Sequence, residues 1–144
     1  MAPTPDPACA GVAEWFTTVS QFAVELNAIL QPIAKGLQRQ DAGRFASGLQ
    51  ATGPAAENIL VRFQQIAVPA LVADLNAEIV ANLQLLVEGL YHWYNGYITG
   101  NVGEYQSGSQ QVTDASVKMT ELQPKTQEIA DHCGVQLPTA TATR

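Results

Sequence analysis

The fold class read from the sequence is all-α: an antiparallel up-down-up-down four-helix bundle made of two repeated αα hairpins, its termini clasped by one disulfide. Three observations carry this reading. Apolar residues recur in steps of three and four through nearly the whole chain between two Pro-containing tails, which is the period of helices with one buried face. The two halves resemble each other at an offset of sixty residues, as a duplicated unit would. Finally, the only cysteines, Cys9 and Cys133, bracket the helical part, and in such a bundle the start of the first helix lies beside the end of the fourth.

The first helix is expected at about Cys9–Arg39, with Val12, Trp15, Val19, Phe22, Leu26, Ile29, Ile33 and Leu37 on one face. Pro32 falls inside that pattern, so a kink or broken turn near Leu30 is expected rather than a termination. The second helix, about Ala42–Ile66, has Phe45, Leu49, Thr52, Ala56, Ile59, Phe63 and Ile66 on its stripe and is punctuated by Val68–Pro69.

The third, about Ala70–Thr99, carries Leu75, Ile79, Leu83, Leu86, Leu90, Trp93 and Tyr97 on one stripe, and Val87, Tyr91, Tyr94 and Ile98 on a second. The last, about Val102–His132, is the most polar, and Pro124 makes it the element expected to break in two.

The repeat aligns Asp41–Leu60 with Asn101–Thr120. Gly43/Gly103, Ser47/Ser107, Gly48/Gly108, Gln50/Gln110 and Ala55/Ala115 are identical, against about one or two identities for an arbitrary offset. Asp41 and Asn101 then fall at equivalent positions after the two tight turns, as N-caps, and Asn101 with Glu104 has the spacing of a capping box. Gly36, Gly48, Gly96 and Gly108 are read as points of close helix approach near the turns rather than as a phosphate cradle, because no Gly-rich loop follows a strand.

The 144 residues suit one domain, residues 9–133, between a Pro-rich tail, 1–8, and a Pro/Thr-rich tail, 134–144. Apolar residues make up 47%, and Lys+Arg 7 against Asp+Glu 13 leaves a formal net charge of -6. That balance argues against nucleic acid or an anionic membrane as partner. No stretch reads as an uninterrupted membrane span: Ala70–Leu90 comes nearest but holds Asp74, Asn76, Glu78, Asn82, Gln84 and Glu88. Met1–Ala8 has neither the basic start nor the apolar run of a signal peptide. A Cys9–Cys133 bond nevertheless places the domain outside the cytoplasm, secreted, periplasmic or at the cell surface.

Chemistry-bearing constellations are few. Glu88/His92 and Glu128/His132 are carboxylate–imidazole pairs at helical spacing, but the two pairs lie about 35 Å apart by helical rise and cannot share an ion. His92 and Met119 differ in height by about 15 Å, which removes a haem ligated by both. His132 neighbours a cysteine that the disulfide consumes, and Asp74 and Glu78 suit the N-terminal turns of a helix. No catalytic residue, metal site or cofactor is therefore assigned.

The aromatic run GLYHWYNGY gathers Tyr91, Trp93, Tyr94 and Tyr97, and Tyr105 comes to the same level at the turn end. Tyr91 and Tyr94 lie off the main stripe, so their rings are the ones expected at the surface. Tyr and Trp make good anchors for partners. The function expected is a non-enzymatic, extracytoplasmic interaction or structural module that binds a protein partner or self-associates through these residues. The alternative is a sensor or carrier bundle holding a small apolar molecule between the helices near Trp93.

Overall fold

The computed structural model describes residues 6–137, so most of the two tails lies outside the described residues. Within them the chain is all-helical: α1 (Val12–Gln38), α2 (Ala42–Phe63), α3 (Ala73–Thr99), α4 (Val102–Glu121) and α5 (Gln123–His132), with short 3-10 turns at Pro7–Cys9 and Ala70–Val72. The four expected helical segments are all present, and the last is divided.

Their boundaries follow local chemistry. Cys9 belongs to the 3-10 turn rather than to the first helix, whose expected start at Cys9 is corrected to Val12. Gly11 separates the two at φ 78, a left-handed conformation that costs glycine little. α1 continues through Pro32 and α2 through Pro54 without interruption. Each proline leaves one carbonyl a turn earlier without its N–H.

The division of the last segment falls at Leu122, where α4 ends and α5 begins with Pro124 in its first turn, the place proline tolerates best. Asp41 Oδ1 accepts from the Arg44 N–H and Asn101 Oδ1 from the Glu104 N–H, both at 3.0 Å, so both expected caps are made. The reciprocal half of the capping box is not, because the Glu104 carboxylate is bonded to His92 and Asn95.

Two close helix pairs, α1 with α2 and α3 with α4, are set by glycine. A Cβ on Gly36 would lie 2.7 Å from the Phe45 backbone, and one on Gly48 would lie 3.1 Å from the Ile33 nitrogen. Gly96 meets the Tyr105 backbone and Gly108 the Trp93 backbone even more closely, and a Cβ on Gly89 would sit 3.0 Å from Val112. At these points helix backbones touch where any side chain would hold them apart.

The α3 segment with its preceding turn, Ala70–Thr99, is long and apolar enough by length and composition alone to cross a membrane, and it contains the stretch that the sequence shows as nearest to a span. Here it is the central helix, packed against both α2 and α4 and burying Leu75, Ile79, Leu83, Leu86, Val87 and Leu90.

The core has two parts. One, near the disulfide, joins Val12, Trp15, Phe16, Phe63, Val72, Leu75, Leu122 and Ala130, with Val135 and Leu137 packed on it from beyond the last helix. The other, towards the turns, joins Ile33, Phe45, Leu49, Leu86, Leu90, Trp93 and Ala115. Leu26 and Leu60 touch both.

Cys9 and Cys133 are bonded, with Cα atoms 5.5 Å apart across a sequence separation of 124. Gly11 sits against Pro69 at the same end. The bond ties the turn before α1 to the residue that caps α5.

Candidate functional site

The residues flanking the two tight turns, Arg39–Asp41 and Gly100–Asn101, are brought together by their rings. Phe45, near the start of α2, stands edge-on to Trp93 and to Tyr97 of α3, each at 5.5 Å between centroids. Tyr105, near the start of α4, meets Trp93 at 6.0 Å and Tyr97 at 6.4 Å. Edge-to-face pairs such as those of Phe45 with Trp93 and Tyr97, and of Tyr105 with Trp93, add about 0.5–1.5 kcal/mol each beyond their burial, so the cluster holds the starts of α2 and α4 against the last turns of α3.

The expected contact residues divide by depth. Trp93 is only 6% exposed and lies beneath the surface, since Gly108 lets the α4 backbone come directly against it. Phe45 and Tyr105 stand edge-on to its ring. Tyr94 is half-buried against the second core, and Tyr105 is half-buried as well.

Tyr91 is partly exposed, its ring lying across Gly53 of α2 and its hydroxyl donating to Glu57 at 3.2 Å. Desolvation first, and then the Glu57 carboxylate, raise its pKa. Tyr97, expected on the buried stripe, is 38% exposed.

The surface around these rings holds residues that the sequence reading did not select. Leu37, placed on the core face of α1 by its period, is 51% exposed because α1 ends at Gln38, one residue beyond it. Ile98 and Val102, on either side of the α3–α4 turn, are 57% and 66% exposed. The period marked Ile98 as off the main stripe, but nothing local marked Leu37.

Basic residues add a second character. Lys35, Arg39 and Arg44 are exposed around the α1–α2 turn and make no ion pair among the described residues, whereas Arg62 pairs with Glu25 and Lys125 with Glu78. Three of the chain's seven Lys and Arg residues thus stand together unpaired in a protein of net charge -6.

Neither histidine uses the glutamate four residues before it. His92 Nδ1 lies 3.1 Å from Glu104 Oε2, and Asn95 donates to Glu104 Oε1 at 2.8 Å. The carboxylate that faces His92 is therefore Glu104, in the first turn of α4, which reaches back to it. The His92 hydrogen bond, followed by that of Asn95, holds the Glu104 carboxyl below its ordinary pKa.

At the other end His132 Nε2 bonds Asp6 Oδ2 at 2.8 Å. The Asp6 pKa is lowered first by the Ala8 backbone N–H and then by His132. Asp6, Cys9 and His132 bring potential ligand atoms within 4.8 Å of one another, yet the Cys9 sulfur is committed to Cys133, so the group is a hydrogen-bonded carboxylate and imidazole beside a disulfide.

Comparison with protein-family models, with curated proteins and with solved structures finds no match.

Proposed function

We propose that this domain is a non-enzymatic, extracytoplasmic interaction module that binds an acidic protein surface through its turn end. The observation that carries the proposal is the coincidence, at one end of the molecule, of exposed Leu37, Tyr97, Ile98 and Val102 with unpaired Lys35, Arg39 and Arg44. Apolar and aromatic groups rimmed by charge are the usual make-up of a partner surface. A local basic cluster on an acidic chain selects an acidic partner and steers its approach. The Cys9–Cys133 bond supports the compartment, because such bonds persist where the surroundings are oxidising.

The architecture belongs to the same proposal: an up-down-up-down bundle of two repeated αα hairpins. Gly36 faces Phe45 and Gly48 faces Ile33 in one pair, while Gly96 faces Tyr105 and Gly108 faces Trp93 in the other. These contacts are sixty residues apart position by position, and so are the caps at Asp41 and Asn101. Two tight turns side by side then give one broad end surface.

Photo-reactive residues provide the test. Placed at Ile98 and at Leu37 in the native secretory setting, they should each give the same discrete crosslinked species, and Arg39→Glu/Arg44→Glu should remove it without altering the thermal midpoint. Crosslinks from control positions at Val61 and Val117, with none from the turn end, would overturn the assignment.

A further inference from the structure

Asn82 is the one feature of the helix interior that the turn-end reading leaves unexplained. It lies on the buried side of α3, is only 6% exposed, and its side chain makes no hydrogen bond among the described residues. Among the described residues only Trp93 Nε1 is a fully buried side-chain polar atom without a partner, so the Asn82 amide is reached by solvent rather than sealed in. Its neighbour on the helix, Leu83, packs in the disulfide-side core, and Leu86, one turn on, packs in the turn-side core. The amide therefore falls where the two cores part.

The space it opens onto is a groove between α1 and α4, floored by α3. Leu26 and Leu30 line one wall and Met119 the other, with Leu86 and Asn82 at the floor and Ser116 at the rim, and the volume is about 250 Å³. The close helix pairs are α1 with α2, α2 with α3 and α3 with α4; α1 and α4 do not close on each other in the same way. No glycine seam draws them together. The Ser116 and Thr120 hydroxyls are already turned back to their own helix, donating to the Val112 and Ser116 carbonyls at 3.1 and 3.2 Å, which leaves the largely buried Asn82 amide, with the exposed Gln123 amide beside it, as the free donors and acceptors of the groove.

We propose that this groove binds a small amphipathic molecule: a short aliphatic or single-ring body with one neutral head, an amide or an alcohol, that pairs with the Asn82 side chain. The size agrees, because an apolar cavity of about 150 Å³ accommodates benzene, and the 250 Å³ here takes a somewhat larger body and its head. The chemistry agrees as well. The walls are aliphatic and thioether, no charged side chain lines the groove, and a carboxylamide both donates and accepts. A charged head would find no counter-ion at Asn82, so the ligand is neutral there. Met119 supplies an adaptable wall for bodies of differing shape. This site is separate from the turn-end surface, and either can fail without the other.

The probe is hexanamide, titrated into the oxidised full chain and followed by amide chemical shifts, with hexane as the body without a head. Saturable shifts are expected at Leu26, Leu30, Asn82, Leu86 and Met119, with hexanamide binding about fivefold or more tighter than hexane, the gain of one made hydrogen bond. Asn82→Leu should erase that preference. Met119→Trp should fill the groove and abolish the shifts while the helical circular dichroism stays.

Absence of saturable shifts, shifts centred elsewhere, or unchanged hexanamide preference in Asn82→Leu would each overturn the proposal.

Discussion

The two tryptophans sit at opposite ends of the molecule, and their indole nitrogens have opposite fates. Trp15, near the disulfide, is 3% exposed and its Nε1 donates to Asn76 Oδ1 at 3.0 Å. Trp93, near the turns, is 6% exposed and its Nε1 has no partner among the described residues. The disulfide end is closed by a covalent bond and its indole N–H is satisfied. The turn end is held by close backbone contacts and stacked edges, accepts one orphaned donor, and carries the exposed apolar and basic residues. Buried donors without a partner are uncommon, and this one lies at the end that carries the exposed apolar and basic residues.

Breaking the covalent closure should give the largest effect. Cys9→Ser with Cys133→Ser is expected to cost about 2–5 kcal/mol, since the closed loop is nearly the whole chain. Hydrogen exchange should then rise first at Val12–Phe16 and Ile129–Cys133, with Leu90 and Trp93 still protected. Uniform loss of protection would mean that the two cores are one cooperative unit.

The glycine contacts test the other end. Gly108→Ala drives a methyl into the Trp93 backbone, where no flexible side chain can yield, and should cost about 1–3 kcal/mol. Gly48→Ala meets Ile33 at 3.1 Å, and the gain in helix propensity of about 1 kcal/mol offsets much of the crowding. Its denaturant midpoint should therefore fall less than that of Gly108→Ala, and the reverse order would show that α3 and α4 can separate more easily than α1 and α2.

Asn76→Ala would turn Trp15 into a second Trp93. Removing the acceptor leaves the indole N–H buried and unpaired, at a cost of about 1–3 kcal/mol. Trp93→Phe, which deletes a donor that has no partner, should cost less than Trp15→Phe by a comparable margin, as read from chemical denaturation.

The smallest effect is one of pH. Because the Glu104 carboxyl is held below its ordinary value of 4.5, chiefly by His92 and then by Asn95, the stabilisation it contributes is present above the unfolded-state pKa. It is lost as pH falls through the lowered folded-state value. Glu104→Gln should flatten the stability curve below about pH 4.5 and leave its neutral arm with a similar slope. An unchanged acid limb would show that the contact contributes nothing in solution.

By itself the sequence determined what depends on residues close along the chain. The period of the apolar residues marked four helical segments, Asp41 and Asn101 marked where two of them begin, and Pro124 marked the division of the last. Gly36, Gly48, Gly96 and Gly108 were legible as contact points because a missing side chain on a buried helix face has few other uses. The lone pair of cysteines named its own bond.

Tertiary structure alone decided which groups ended inside. Leu37 and Tyr97 share the phase of the buried stripes, yet both are exposed, because the helices end before a neighbour can cover them. Trp93 is buried where Gly108 brings the α4 backbone against it, whereas Tyr97 lies within the last turn of α3. Asn82 reads as a polar interruption on a long apolar helix, and its significance appears only once α1 and α4 are seen to stand apart over it. Period, caps and backbone conformation are set by interactions a few residues long, whereas burial and hydrogen-bond partners depend on where a distant helix stops and how closely it approaches.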